Sequence, residues 1–290
     1  MYTVDDAFAK LKSKLEITQT EQNQASRRQN EIRDHLAGRI SLKTSFLTGS
    51  YARHTKTKKL KDVDIFIVVR AEGADAGLRD QTPWSVLSTL QQHLAAKYTS
   101  PKPTLGRRCC TIEFSSTDEI PSFDVVLAFE RAEGGYWIPD RTCGEWIASD
   151  PSVHKSKATA KNTECDGKWI PLVKMIKGFN REWGKPVRPS FLLEVMALGL
   201  VIRRCGRYQD EMVLFLANAA ERIQDEWPDP ADLGPDVNSS MDATEKRTAA
   251  MRLREALAIA ERAVDLEDEG KHAAAIAEWR KLFGDRMPKG

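Results

Sequence analysis

Residues 62–69 read Asp-Val-Asp-Ile-Phe-Ile-Val-Val, a β-branched and aromatic run that predicts a strand in the middle of a sheet. Side chains alternate faces along a strand, so Asp62 and Asp64 are expected on one face. Val63, Ile65, Ile67 and Val69 then share the other face and pack on a helical layer. Two neighbouring carboxylates on a rigid strand repel each other, and a divalent cation between them removes that repulsion. Oxygen ligands of this kind suit Mg²⁺. The plainer alternative is a strand-start Asp with a solvated neighbour, because Asp-x-Asp is common.

The residues upstream strengthen the cation reading. Gly49-Ser50 follows a short strand candidate at 45–48, and a Gly-Ser turn lets backbone N–H groups and a hydroxyl approach a phosphate. A third carboxylate stands in Ser-Phe-Asp-Val-Val-Leu-Ala-Phe. There Phe123, Val125, Leu127 and Phe129 share one face and Asp124 the other. If this strand lies beside 62–69, Asp124 completes an acidic cluster. The competing reading is a surface Asp on an edge strand.

The flanking sequence predicts one sheet-bearing lobe and one helical lobe. Residues 5–43 have the spacing of a long helix or a helix pair, with Ala7, Leu11, Leu15 and Thr18 in register, then Ile32, Leu36 and Ile40. Residues 84–98 are an amphipathic helix. Residues 109–114 and 123–129 are strands with a turn at 118–122. From about 140 onward the chain reads as mostly helical. Helices are expected at 170–183 and 191–206, a Pro-rich loop at 227–240, and a helical hairpin at 244–267 and 271–283 broken at Gly270. This gives an α+β chain with lobes at 1–140 and 141–290, and a ligand site in the cleft between them.

Composition narrows the class. The chain has 290 residues, 41% of them hydrophobic and 30% charged, a globular balance with room for two modest lobes. The net charge of +2 leaves no broad excess for coating nucleic acid, so any basic function is local. The longest apolar run, 191–202, is far short of the roughly 20 residues of a membrane helix, and Glu194 interrupts it. The acidic, amphipathic start does not resemble a signal peptide. Five cysteines without a C-x-x-C pair predict a reduced, cytoplasmic protein. Cys143, His154 and Cys165, with Cys109 or Cys110, do not have the spacing of a compact zinc site, so buried free thiols are expected.

Residues 151–188 carry the local basic excess, nine Lys and Arg against three acids. Lys174 and Lys177 are three apart and share a helix face. They suit a triphosphate, or else form a solvated surface.

The set Gly49-Ser50, Asp62-x-Asp64 and Asp124 resembles the signature of the polymerase-beta-like nucleotidyltransferase superfamily. Further motifs are similar to the bacterial cGAS/DncV-like nucleotidyltransferases, the oligonucleotide cyclases of CBASS antiphage systems. These are Trp137-Ile138-Pro139-Asp140, Trp146-Ile147-x-x-Asp150-Pro151-x-x-His154, Asn162, the run from Pro171 to Asn180, and Trp279-Arg280-Lys281-Leu282-Phe283-Gly284. Many relatives have Pro shortly after the third Asp, where this chain keeps Leu127. The likeness spans about residues 45–285.

The resemblance implies a polymerase-beta-like lobe and an enzyme that joins NTPs into a cyclic di- or trinucleotide, releasing pyrophosphate. It implies Mg²⁺ or Mn²⁺ on Asp62, Asp64 and Asp124, with Asp124 helping to deprotonate the attacking ribose hydroxyl. Gly49 and Ser50 would hold phosphates, Lys174, Lys177 and Ser190 would meet the triphosphate, and Phe191 would stack on a base or else pack in the core. A separate effector protein activated by the product is expected, with no obligatory DNA or RNA and no membrane. The alternatives are a template-independent RNA or oligoadenylate-type transferase, a nucleotidyltransferase that modifies small molecules or proteins, and a non-catalytic binding module.

Overall fold

The computed structural model describes residues 2–114, 122–202 and 204–290. They divide into two units, Ile17–Lys155 with Ala231–Gly234, and Met1–Glu16 with Ser156–Pro230 and Pro235–Gly290.

The first unit is built on a mixed sheet. β1 (Leu42–Leu47) pairs antiparallel with β2 (Val63–Val69), which pairs parallel with β5 (Ser122–Glu130). β4 (Cys110–Glu113) and β3 (Thr104–Leu105) continue from β5, both antiparallel. β6 (Tyr136–Asp140) and β7 (Glu145–Ser149) form a hairpin on the end of β5. β5 is therefore an interior strand and not an edge.

The alternation read from the sequence governs the packing. Val63, Ile65, Ile67 and Val69 share a core with Val125 and Leu127, with Ile32 and Leu36 of α2 (Gln19–Ala37), and with Val86, Leu90 and Leu94 of α4 (Pro83–Ala95). Phe66, Val68, Val126 and Ala128 face the other way, against Phe46, Ile138 and Tyr136. α2 begins at a reciprocal cap, with Thr18 accepting from the Glu21 N–H and the Glu21 carboxylate accepting from Thr18 N. Thr18 is thus a cap and not part of the apolar stripe. The helix pair option is the one realised, α1 (Val4–Leu15) followed by α2.

The second unit is helical. It contains α1, most of α5 (Pro151–Glu164), α6 (Trp169–Glu182), α7 (Ser190–Leu200), α8 (Tyr208–Arg222), α9 (Ala243–Asp268) and α10 (His272–Phe283). α9 and α10 are the expected hairpin, and Gly270 takes φ +76 at the break, where a glycine has little steric cost.

Three expectations differ from this arrangement. The division lies at 155/156 and not at 140/141, and residues 1–16 belong with the helices. Phe8 packs edge-on against Trp279 at 5.0 Å, so α1 fills the helical core. Residues 136–149 form a hairpin, in which Tyr136, Trp137, Ile138, Trp146 and Ile147 are aromatic and β-branched residues that favour strands. α7 stops at Leu200, short of the expected 206, and α8 begins at Tyr208, a helix the sequence reading did not single out. The turn expected at 118–122 lies largely outside the described residues.

Candidate active site

The parallel pairing of β2 and β5 sets Asp64 opposite Asp124, in register with Val63 opposite Phe123 and Ile65 opposite Val125. Both acids project from the face that carries Phe66, Val68, Val126 and Ala128. Gly49 opens α3 (Gly49–Ala52), the short helical turn after β1, at φ +60. A Cβ at Gly49 would lie 1.9 Å from Asp64 Oδ2, so the backbone approaches that carboxylate as only glycine permits. Thr48 N donates to Asp64 O at 2.9 Å, tying this turn to β2. Ser50 is half-buried, and its carbonyl accepts from Thr55 N and Lys56 N, both at 3.0 Å.

Asp62 does not stand where strand alternation puts it. It precedes β2 at φ +51, in the left-handed region. Its carboxylate Oδ1 accepts from Ser122 Oγ at 2.6 Å, and its N–H donates to the same oxygen at 3.1 Å. Lys56 Nζ donates to the Asp62 carbonyl at 2.9 Å. Leu60 N donates to Glu21 Oε1 at 2.9 Å, so the capping glutamate of α2 also anchors the approach to Asp62. On β4, Thr111 Oγ1 donates to Asp124 Oδ1 at 2.6 Å. Ser122 and Thr111 were not singled out from the sequence. Ser122 stands two residues before Asp124 and so shares its side of the strand, a usable signal once the strand was assigned.

The electrostatics are those of crowded acids. Burial pushes the Asp64 carboxyl up to about 6; Asp124 and Asp62 raise it, while Lys56 and Arg53 oppose them. Beside them the Cys109 thiol is pushed up to about 12 by burial and by Asp124, and stays protonated. Three carboxylates are a hard-oxygen donor set, and the charge crowded at Asp64 is what a divalent cation relieves, so the residues fit such a group. With Asp62 turned to Ser122, no three His, Cys, Asp or Glu side chains among the described residues form a ready-made cage.

The residues expected to meet the triphosphate and base belong to the helical unit. Lys174 and Lys177 are not solvated. Lys174 is buried with Nζ 2.5 Å from Glu16 Oε2, and Lys177 is buried with Nζ 2.5 Å from Glu194 Oε1. Glu194 is itself almost fully buried. Ser190 is exposed at the first position of α7, and the half-buried Phe191 packs against the helical core. All five cysteines are free; Cys110, Cys165 and Cys205 are buried, Cys109 is half-buried and Cys143 is exposed, a departure from five buried thiols. No helix is long and apolar enough to cross a membrane among the described residues.

The chain is 29% identical to a cyclic AMP-AMP-AMP synthase from Acinetobacter sp. (strain ATCC 27244 / 9458), over 99% of this chain and 86% of that protein. It superposes on the CD-NTase CdnG of Bradyrhizobium diazoefficiens in complex with GTP with a TM-score of 0.73, at 16% identity, covering 98% of this chain and 96% of that one. The DncV cyclic AMP-GMP synthase of Vibrio cholerae gives 0.74 at 12% identity, over 96% and 94%. These two likenesses establish the fold, a polymerase-beta-like nucleotidyltransferase lobe accompanied by helices. Residues 1–162, more than half of the chain, match the Second Messenger Oligonucleotide or Dinucleotide Synthetase domain. The chain therefore belongs to that family, and is a metal-dependent cGAS/DncV-like nucleotidyltransferase that makes a cyclic oligonucleotide second messenger.

Proposed function

We propose that Asp62, Asp64 and Asp124 hold Mg²⁺ or Mn²⁺ and that the chain uses this site to join NTPs, ATP foremost, into a cyclic di- or trinucleotide. The observation that carries the reading is Asp64 opposite Asp124 in the parallel β2–β5 ladder, with Asp62 two residues earlier. ATP comes from the likeness to a synthase of cyclic AMP-AMP-AMP.

A divalent cation bound there supplies positive charge to the attacking and leaving oxygens of an in-line displacement. Asp124 accepts the proton of the ribose hydroxyl that attacks the α-phosphorus. The new oxygen–phosphorus bond forms as the bond to the β-phosphate breaks, and pyrophosphate carries away the charge. Thr111 holds Asp124 by one carboxylate oxygen, so the acid keeps its direction while it takes the proton. Gly49 and Ser50 offer backbone N–H groups and a hydroxyl to the outgoing phosphates. Ser190 contacts the triphosphate and Phe191 lies against a base, while Lys174 and Lys177, buried against Glu16 and Glu194, hold the helical unit that carries them. Synthesis requires no DNA or RNA, and the product acts on a separate effector protein.

The test is pyrophosphate release by purified protein supplied with ATP and Mg²⁺. Release that depends on both, survives nuclease treatment and disappears in Asp64→Asn supports the reading. Release undiminished in that variant contradicts it.

A further inference from the structure

Asp62 is held in a left-handed backbone conformation by the side chains of Ser122 and Lys56. Asp62 takes φ +51, a backbone region that residues other than glycine adopt less readily than an extended one. The Ser122 hydroxyl makes two bonds to it, donating to Oδ1 at 2.6 Å and accepting from the Asp62 N–H at 3.1 Å. One hydroxyl can do both, since it carries one proton and two lone pairs. Ser122 is buried at the start of β5, paired in register with Glu113 on β4, so its position is fixed by the sheet. From the other side Lys56 Nζ donates to the Asp62 carbonyl. β5 thus carries Asp124 directly and fixes Asp62 through a hydroxyl two residues earlier.

We propose that Ser122 is a positioning residue for this reaction: it sets the backbone and carboxylate of Asp62, occupying one oxygen and leaving the other to the cation. This inference rests on the cation-binding reading of the three acids. Groups that hold a metal ligand by its second atom commonly change metal affinity 10- to 100-fold when removed, and Ser122 stands in that relation to Asp62.

The test is Mn²⁺ binding to the nucleotide-free protein, followed by electron paramagnetic resonance, with circular dichroism to verify folding. Ser122→Ala is expected to bind Mn²⁺ about 10- to 100-fold more weakly than the parent. Ser122→Thr, which keeps the hydroxyl, is expected to restore most of the affinity, a rescue that mere loss of packing would not produce. Ser122→Ala binding Mn²⁺ as the parent does, while Asp64→Asn does not, overturns the role of Ser122 and leaves the acid cluster standing. A Thr variant as weak as Ala also overturns it. Asp64→Asn binding Mn²⁺ like the parent overturns the cation reading itself.

Discussion

Asp64 and Asp124 are Cα partners across the parallel ladder of β2 and β5, and the two carboxylates leave the same face of the sheet. Burial and its acidic neighbours raise Asp64 to about 6, above the ordinary value near 3.9. The unfolded chain therefore releases this proton at lower pH than the folded one. The contribution of Asp64 to stability is full below about pH 4 and is lost as pH rises through about 6. In chelator, Asp64→Asn should melt above the parent at pH 8 and match it near pH 4. The same substitution should cut synthesis by more than the ~10²–10³-fold typical of losing one transition-state contact. Melting curves at the two pH values and a turnover assay check both halves.

Gly49→Ala tests the close approach of the backbone to Asp64. The added Cβ would meet Oδ2 at 1.9 Å, and φ +60 adds strain. Asp64 must swing away from Asp124 to admit it. The expected result is loss of activity comparable to Asp64→Asn with a folded protein, read by turnover and circular dichroism.

Lys177 and Ser190 should behave differently from each other. Lys177 is paired with the almost fully buried Glu194, so Lys177→Ala removes a charged partner of a buried carboxylate and should lower stability measurably. Ser190 is exposed, and Ser190→Ala should weaken ATP binding with little change in melting. Lys281 pairs with Glu278 on the surface of α10, and Lys281→Ala should change neither. Denaturation and ATP titration of the three variants separate these outcomes.

Asp140 is fully buried. Burial pushes its carboxyl up, but hydrogen bonds from Arg107 and Arg108 outweigh that and hold it at about 2. Its folded value lies below the unfolded one, so the stability it contributes is present above about pH 4 and lost as pH falls through about 2. The amount is roughly 1–2 kcal/mol. Asp140→Asn should lower the denaturation midpoint at pH 7 and flatten its decline in acid.

The acids, the glycine turn and the strand alternation were legible in the sequence because each depends on local pattern. The period-two run of Val63, Ile65, Ile67 and Val69 specifies a core face, and Asp124, three strands along the chain, falls with Asp64 on the opposite face. The placement of Asp62 was not legible, since it depends on a hydroxyl 60 residues away that favours a left-handed backbone over continued strand. The buried state of Lys174 and Lys177 was hidden for a similar reason. Their carboxylate partners are Glu16, the residue after α1, and Glu194 of α7, and helix spacing reports only that the two lysines share a face. The β6–β7 hairpin did have a local signal in the aromatic and β-branched residues Tyr136, Trp137, Ile138, Trp146 and Ile147 on either side of Gly144.

Incubation of the protein with ATP, alone and with each other NTP, and Mg²⁺, then phosphatase treatment and mass spectrometry of the products, distinguishes ring synthesis from linear chain extension. A ring has no terminal phosphate, so the expected product is a phosphatase-resistant cyclic oligonucleotide whose synthesis fails in the Asp62→Asn, Asp64→Asn double variant. Linear products that lose their terminal phosphates and lengthen stepwise, or equal yield from the double variant, would contradict it.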